Sequence, residues 1–163
     1  QEATRGVPNP DIASHQVLRG VHDVFGPTDV YAVRELPNDA QVLLHGAVLE
    51  GMSPLSQPVT GPKNTPMQPV AWLRSRDIGT GSPQRIFATT MGAAADWSSE
   101  DLRRLLFNAA FWTLHMEEQI PKEGLEATLF GSWEPSGFGF NTFRTGFKPA
   151  DFREGTPPWP SDS

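Results

Sequence analysis

The side chains here with the widest chemical repertoire are four histidines, His15, His22, His45 and His115. None stands in an H-x-H or H-E-x-x-H arrangement, so their spacing gives zinc little support and no metal centre is expected. His22 is followed by Asp23, and a carboxylate beside an imidazole can orient it for acid–base work. A plain surface turn accounts for the same pair. His115 closes a helical pattern, where the helix dipole favours a cation. His45 sits in the middle of a strand pattern, the usual place for a packed or edge residue.

A second set of polar groups suits a ligand rich in hydroxyls. Lys63 and Asn64 lie in a long proline-rich loop, Thr89 and Thr90 end an apolar strand pattern, and Trp72 offers an aromatic face. Together they would fit carbohydrate, with core packing as the ordinary alternative for Trp72. Other chemistries lack their residues. There is no cysteine, which removes thiolate catalysis, disulfides and thiolate metal sites from this chain. There is no G-x-S-x-G elbow, G-x-G-x-x-G turn or G-x-x-x-x-G-K-[ST] loop. The Gly79–Thr80–Gly81 turn has no helix after it. No nucleotide or other cofactor is expected.

These groups must be positioned by a chain of 163 residues, enough for one domain with one core. Its net charge of −6 and lack of a basic block argue against nucleic acid. Its apolar runs are too short to span a bilayer as a helix, so no membrane partner is expected. The lack of cysteine does not fix the compartment, which could be cytoplasmic or periplasmic. Glycine and proline together make up 31 residues, about a fifth of the chain, so much of it must be loop.

The clearest element runs from Arg85 to Met116. An apolar and β-branched run (Ile86 to Thr90) meets a turn at Gly92, and an amphipathic helix follows. Ser98 or Ser99 serves as N-cap, and Glu100 and Asp101 complement the dipole. Leu102, Leu105, Leu106, Ala109, Ala110 and Thr113 form one apolar face, with Pro121 barring continuation. Phe111, Trp112 and Met116 widen that face toward a second layer or another chain. A strand–loop–helix unit is the building block of an open α/β sheet, whose ligands bind at the carboxyl ends of the strands. Thr89 and Thr90 would stand at such a crevice.

Elsewhere the signals are shorter. Residues 1–14 read as an extended arm. Phe25–Gly26–Pro27 reads as a turn, Val30 to Val33 as a strand, and Pro37–Asn38–Asp39 as a second turn. Gln41 to Leu49 and Val70 to Ser75 are strand patterns, separated by a loop with prolines at 54, 58, 62, 66 and 69. Asp77 to Pro83 is a turn or hairpin loop. Residues 15–120 form the domain, and residues 121–163 a second arm rich in Gly, Phe and Pro. Ala127 to Phe130 is a short strand candidate. Phe138, Phe140, Phe143, Phe147 and Phe152 call for a surface to pack on, in this chain or a neighbouring subunit.

In order and spacing, VLRGVHDVFGPTDVY (17–31), GAVLEGMSP (46–54), KNTPMQPVAW (63–72), RIFATTMG (85–92) and LRRLLFNAAFW (102–112) resemble the C-terminal portion of the trehalose-utilisation, ThuA-like family. The ending GFGFNTFRTGFKPADF resembles a branch of it. The resemblance implies a three-layer α/β domain with a mostly parallel sheet, flavodoxin-like or class I glutamine amidotransferase-like, incomplete on its N-terminal side. It implies a sugar ligand and a role in carbohydrate metabolism, either as a hydrolase-type enzyme or as a non-catalytic carbohydrate- or protein-binding module. A fragment with no activity of its own is the third reading. Half of such a sheet would expose an edge, so a homo-oligomer or a missing upstream half is expected.

Asp29 and Tyr31 match an acidic residue and tyrosine in the family pattern. Asp29 is thereby the candidate base, with His22 as helper, although a carboxylate beside a turn can equally cap backbone. Tyr31, Lys63, Asn64, Trp72, Thr89 and Thr90 are the candidate ligand-binding residues. Many family members carry a histidine after the glycine that ends the TTxG strand. Here Gly92 is followed by Ala93, Ala94 and Ala95.

Overall fold

A computed structural model describes residues 2–135 and 145–153. It contains five strands: β1 (Thr4–Pro8), β2 (Val24–Gly26), β3 (Gln41–Val48), β4 (Gln68–Arg76) and β5 (Gln84–Thr89). They form one sheet in the order β2-β1-β3-β4-β5. Every neighbouring pair is antiparallel. The single α-helix among the described residues, α1 (Glu100–Thr113), packs against it.

The expected three-layer, mostly parallel sheet of the flavodoxin or class I amidotransferase type is therefore wrong. The β5–loop–α1 unit exists, but a parallel sheet needs a further strand beside β5 after the crossover helix. No strand follows α1 among the described residues. Instead β3, β4 and β5 are sequential neighbours joined as a meander, and the chain's first residues supply a strand to the sheet's interior. The stretch read as an arm is extended, but β1 lies between β2 and β3, with Thr4 opposite both Gly26 and Val48. Phe25 and Gly26, read as a turn, belong to edge strand β2. Val30 to Val33 form no strand; Val30 instead lies over the sheet, where a Cβ added to Gly46 would stand 3.2 Å from its methyl groups.

The sheet curls because β3 and β4 each carry one extra residue. Val42 pairs with Trp72, Leu44 with Ala71 and His45 with Pro69, which leaves Leu43 and Val70 without partners. A bulge lets consecutive side chains share a face and increases local twist. Accordingly, Leu43 with Leu44, and Val70 with Ala71, are all fully buried in the core. That core also takes Val17 and Leu18 from a 3-10 turn (Gln16–Leu18) and Leu102, Leu105, Ala109 and Trp112 from α1.

Ser99 caps α1, its hydroxyl accepting the Leu102 N–H. The helix stops at Thr113, before Pro121 is reached, and His115 takes a left-handed conformation at φ 58°. A polar flank of α1 is buried as well. The Asn108 side chain donates to Val17 O (3.1 Å) and Arg19 O (2.9 Å) and accepts from Leu125 N (3.0 Å), tying residues 17–19 and 125 to the helix. Ala127 to Phe130 form no strand. Of the expected aromatic cover, Phe138, Phe140 and Phe143 lie outside the described residues.

Candidate functional site

Edge strand β2 and the start of α1 border a cavity of about 600 Å³ that is broadly open to solvent. Phe25, Pro27 and Pro54 line it with apolar surface; Asp23, Ser98 and Glu100 bring polar groups. The sequence forces the two elements together through backbone groups that β2 leaves unpaired. Asp101, in the first turn of α1, accepts the N–H of His22 (2.8 Å) and of Asp23 (2.7 Å) through one oxygen. Its other oxygen takes Arg104 at 2.8 Å. Ser99 Oγ lies 3.4 Å from the Phe25 N–H. The edge is thus stapled to a helix N-terminus, and the cavity is the space left beside the staple. Arg5 pairs with Asp23 at 2.9 Å and also donates to Pro54 O, joining two walls. Arg104 pairs with Glu100.

One end of this region is organised by a buried carboxylate that sequence reading passed over. Asp96 is 1% exposed. It accepts from the Gly92 N–H (2.9 Å), the Ala93 N–H (3.0 Å) and the Thr28 hydroxyl, which lies 2.9 Å from both oxygens. Gly92 has φ +143°, a conformation open to glycine. A Cβ on Gly26 would stand 2.6 Å from Asp96 Oδ1. Asp96 therefore joins the loop after β5 to the segment after β2. The signal in the sequence was an aspartate four residues after a glycine that must turn, opposite a strand ending in glycine.

The expected site residues are dispersed. His22 is exposed next to the cavity residue Asp23. Asp29 is exposed beyond the other end of β2, and its carboxylate has no partner among the described residues. His22 and Asp29 thus lie beyond opposite ends of a three-residue strand, seven positions apart in the chain. Tyr31 is 60% exposed, two residues further on. Lys63 is ion-paired with Glu2 at 2.6 Å. Asn64 is a backbone staple: it accepts from Val48 N (2.8 Å) and donates to Val48 O (3.0 Å) and Val59 O (2.8 Å).

Thr89 Oγ1 donates to the bulge carbonyl Val70 O at 2.8 Å and accepts Met91 N, while Thr90 N also reaches Val70 O. Thr89 and Thr90 thus secure the bulge and do not line a crevice at parallel strand ends. Trp72 is opposite Ala88 and Thr89 is opposite Ala71, so by strand alternation the two project to opposite faces.

His115 faces Ser82 at 3.4 Å, and His45 stays in β3 between Val7 and Pro69. His15 is the N-cap of a 3-10 turn and meets the Trp112 ring edge-on at 5.9 Å. Burial, helped by the Arg85 charge, lowers its pKa. Arg85 stacks over the same indole at 4.9 Å and makes a bidentate pair with Glu117 at 2.7 Å. That hydrogen-bonded pairing holds the Glu117 pKa down to about 2. The closed partnerships of this column make it structural. Among the described residues, no group of three His, Asp or Glu comes together as a metal-binding cluster.

Comparison with protein-family models, curated proteins and solved structures returned no match.

Proposed function

We propose that this chain binds a saccharide at the junction of β2 and α1 and acts as a binding unit without completing a hydrolysis by itself. The observation that carries this reading is the cavity. Its volume, about 600 Å³, lies within the range of small-molecule sites. Its lining joins the Phe25 ring and two prolines to the Asp23 and Glu100 carboxylates and the Ser98 hydroxyl. A sugar presents apolar C–H faces and donating hydroxyls. Apolar walls with carboxylate acceptors match both.

Two observations favour binding over catalysis. Asp23 and Glu100 are each already ion-paired, with Arg5 and Arg104. The carboxylate of Asp29, without a partner among the described residues, stands at the far end of β2 from His22, so the pair expected to share acid–base work is separated. The test is calorimetric titration with glucose, maltose and trehalose. Binding of at least one sugar is expected, weakened about tenfold by Asp23→Asn or Glu100→Gln, the scale of one hydrogen bond to a charged group. No heat with any of the three sugars, or release of glucose from trehalose by the purified chain, would sink this reading.

A further inference from the structure

We infer that Trp97 and Trp133 form an aromatic platform beside the cavity, on which a pyranose ring of the bound saccharide stacks. The inference rests on the saccharide reading and adds to it residues that neither the motifs nor the cavity lining identified.

The two indoles are anchored to the same turn. Trp97 Nε1 donates to Gly92 O at 3.3 Å and Trp133 Nε1 donates to Ala94 O at 3.2 Å. Their acceptors are two residues apart, so the indole nitrogens lie within roughly 14 Å of each other by chain geometry. Each polar handle is satisfied by backbone, which fixes the ring without burying it. Trp133 is 45% exposed and Trp97 is half-buried. Ala93 and Ala94, exposed between the anchors, add no bulk that would fill the space. Trp97 stands in the chain between the cavity residues Ala95 and Ser98, separated from Ala95 by the buried Asp96, so its backbone runs along the cavity rim.

Arg103, 7% exposed on α1, donates through Nε to Ala127 O at 2.7 Å and through a terminal nitrogen to Trp97 O. One buried guanidinium thus holds the Trp97 carbonyl and that of Ala127, six residues before Trp133. The chain treats Trp112 differently. That ring is 7% exposed, with Arg85 over one face and His15 at its edge. A large aromatic left half in water, with its N–H occupied and its neighbours small, keeps its apolar surface for a partner. The partner's chemistry follows from the surroundings: a ring with C–H faces for the indoles and hydroxyls for the nearby carboxylates.

The test uses the whole chain labelled with ¹⁵N, with indole N–H signals assigned by Trp97→Phe and Trp133→Phe. Maltose and trehalose are the probes. The Trp97 and Trp133 indole signals should move saturably while those of Trp72 and Trp112 stay. Trp133→Ala should weaken maltose binding about tenfold at unchanged circular dichroism, with Phe restoring most of it. Because Trp97 borders the helix start, Trp133→Ala is the deciding variant. If maltose binds with wild-type affinity to Trp133→Ala and neither indole moves, the platform is overturned while the cavity reading survives. If binding is lost in Trp133→Ala but kept in Asp23→Asn and Glu100→Gln, the platform stands and the cavity reading falls. If no saccharide binds at all, both fall.

Discussion

Replacing Asp96 with alanine should be the most damaging single change outside the hydrophobic core. The carboxylate is 1% exposed and holds two backbone N–H groups and the Thr28 hydroxyl. A hydrogen bond to a charged group contributes about 1.5–3 kcal/mol. The contacts are not additive, because Gly92 and Ala93 are exposed and water can take over their N–H groups. An overall loss of about 3 kcal/mol follows, or about 6–12 °C in melting temperature for a domain of this size. Asparagine should cost only about 1 kcal/mol. Its oxygen can keep the two N–H donors while its NH₂ donates to Thr28 Oγ1, reversing that bond. In a double-mutant cycle, Thr28→Val should add little on top of Asp96→Ala, since both remove the same contact. Denaturant melts of the four proteins measure these values. A loss below about 0.5 kcal/mol for Asp96→Ala, the range of ordinary surface changes, would refute the claim that this carboxylate joins the two loops.

Other consequences are open to direct measurement. Gly26→Ala drives a Cβ to 2.6 Å from Asp96 Oδ1 and should cost about 1–3 kcal/mol by overpacking, read as a lowered denaturant midpoint. Glu117 ionises lower in the folded chain than in the unfolded one, so its contribution is complete above pH 4.5 and is lost as the pH falls toward about 2. Glu117→Gln should therefore destabilise at pH 7 but flatten the acid limb of the stability profile; an unchanged limb would contradict the Arg85 pairing. His15 is shifted the same way for a base: the unfolded chain takes up its proton first, so its share of stability is present above pH 6.5 and declines below it. His15→Asn, which keeps an N-cap acceptor, should remove that step from melts between pH 7 and 5.

The elements that carry strong periodicity were legible. Strands β3, β4 and β5 and helix α1 with its Ser99 cap stand where alternation and capping put them. Sheet direction was not legible, because a β–loop–α unit looks the same whether its strand has parallel or antiparallel neighbours. β1 escaped notice because T-R-G-V-P has a glycine and a proline and little apolar character. Its pairing is set by β2 and β3, far along the chain. Val30 to Val33 has strand composition, but Val30 serves to cover Gly46.

The site was the least readable part. Asn64, Thr89 and Thr90 are residues of the right type for sugar, yet the described contacts commit them to backbone. Asp23 and Glu100 border one cavity, and Trp97 and Trp133 bond to one turn, only because Asp101, Asp96 and Arg103 draw distant segments together. No local pattern encodes such tertiary hydrogen bonds.

Mapping backbone amide shifts during a maltose titration is the measurement closest to the central claim. The account predicts saturable changes confined to residues 22–31, 51–56, 92–101 and 131–135, with the β4–β5 hairpin loop at 77–83 unmoved. Saturable changes centred instead on the opposite sheet face around His45 and Trp72, or none anywhere, would contradict it.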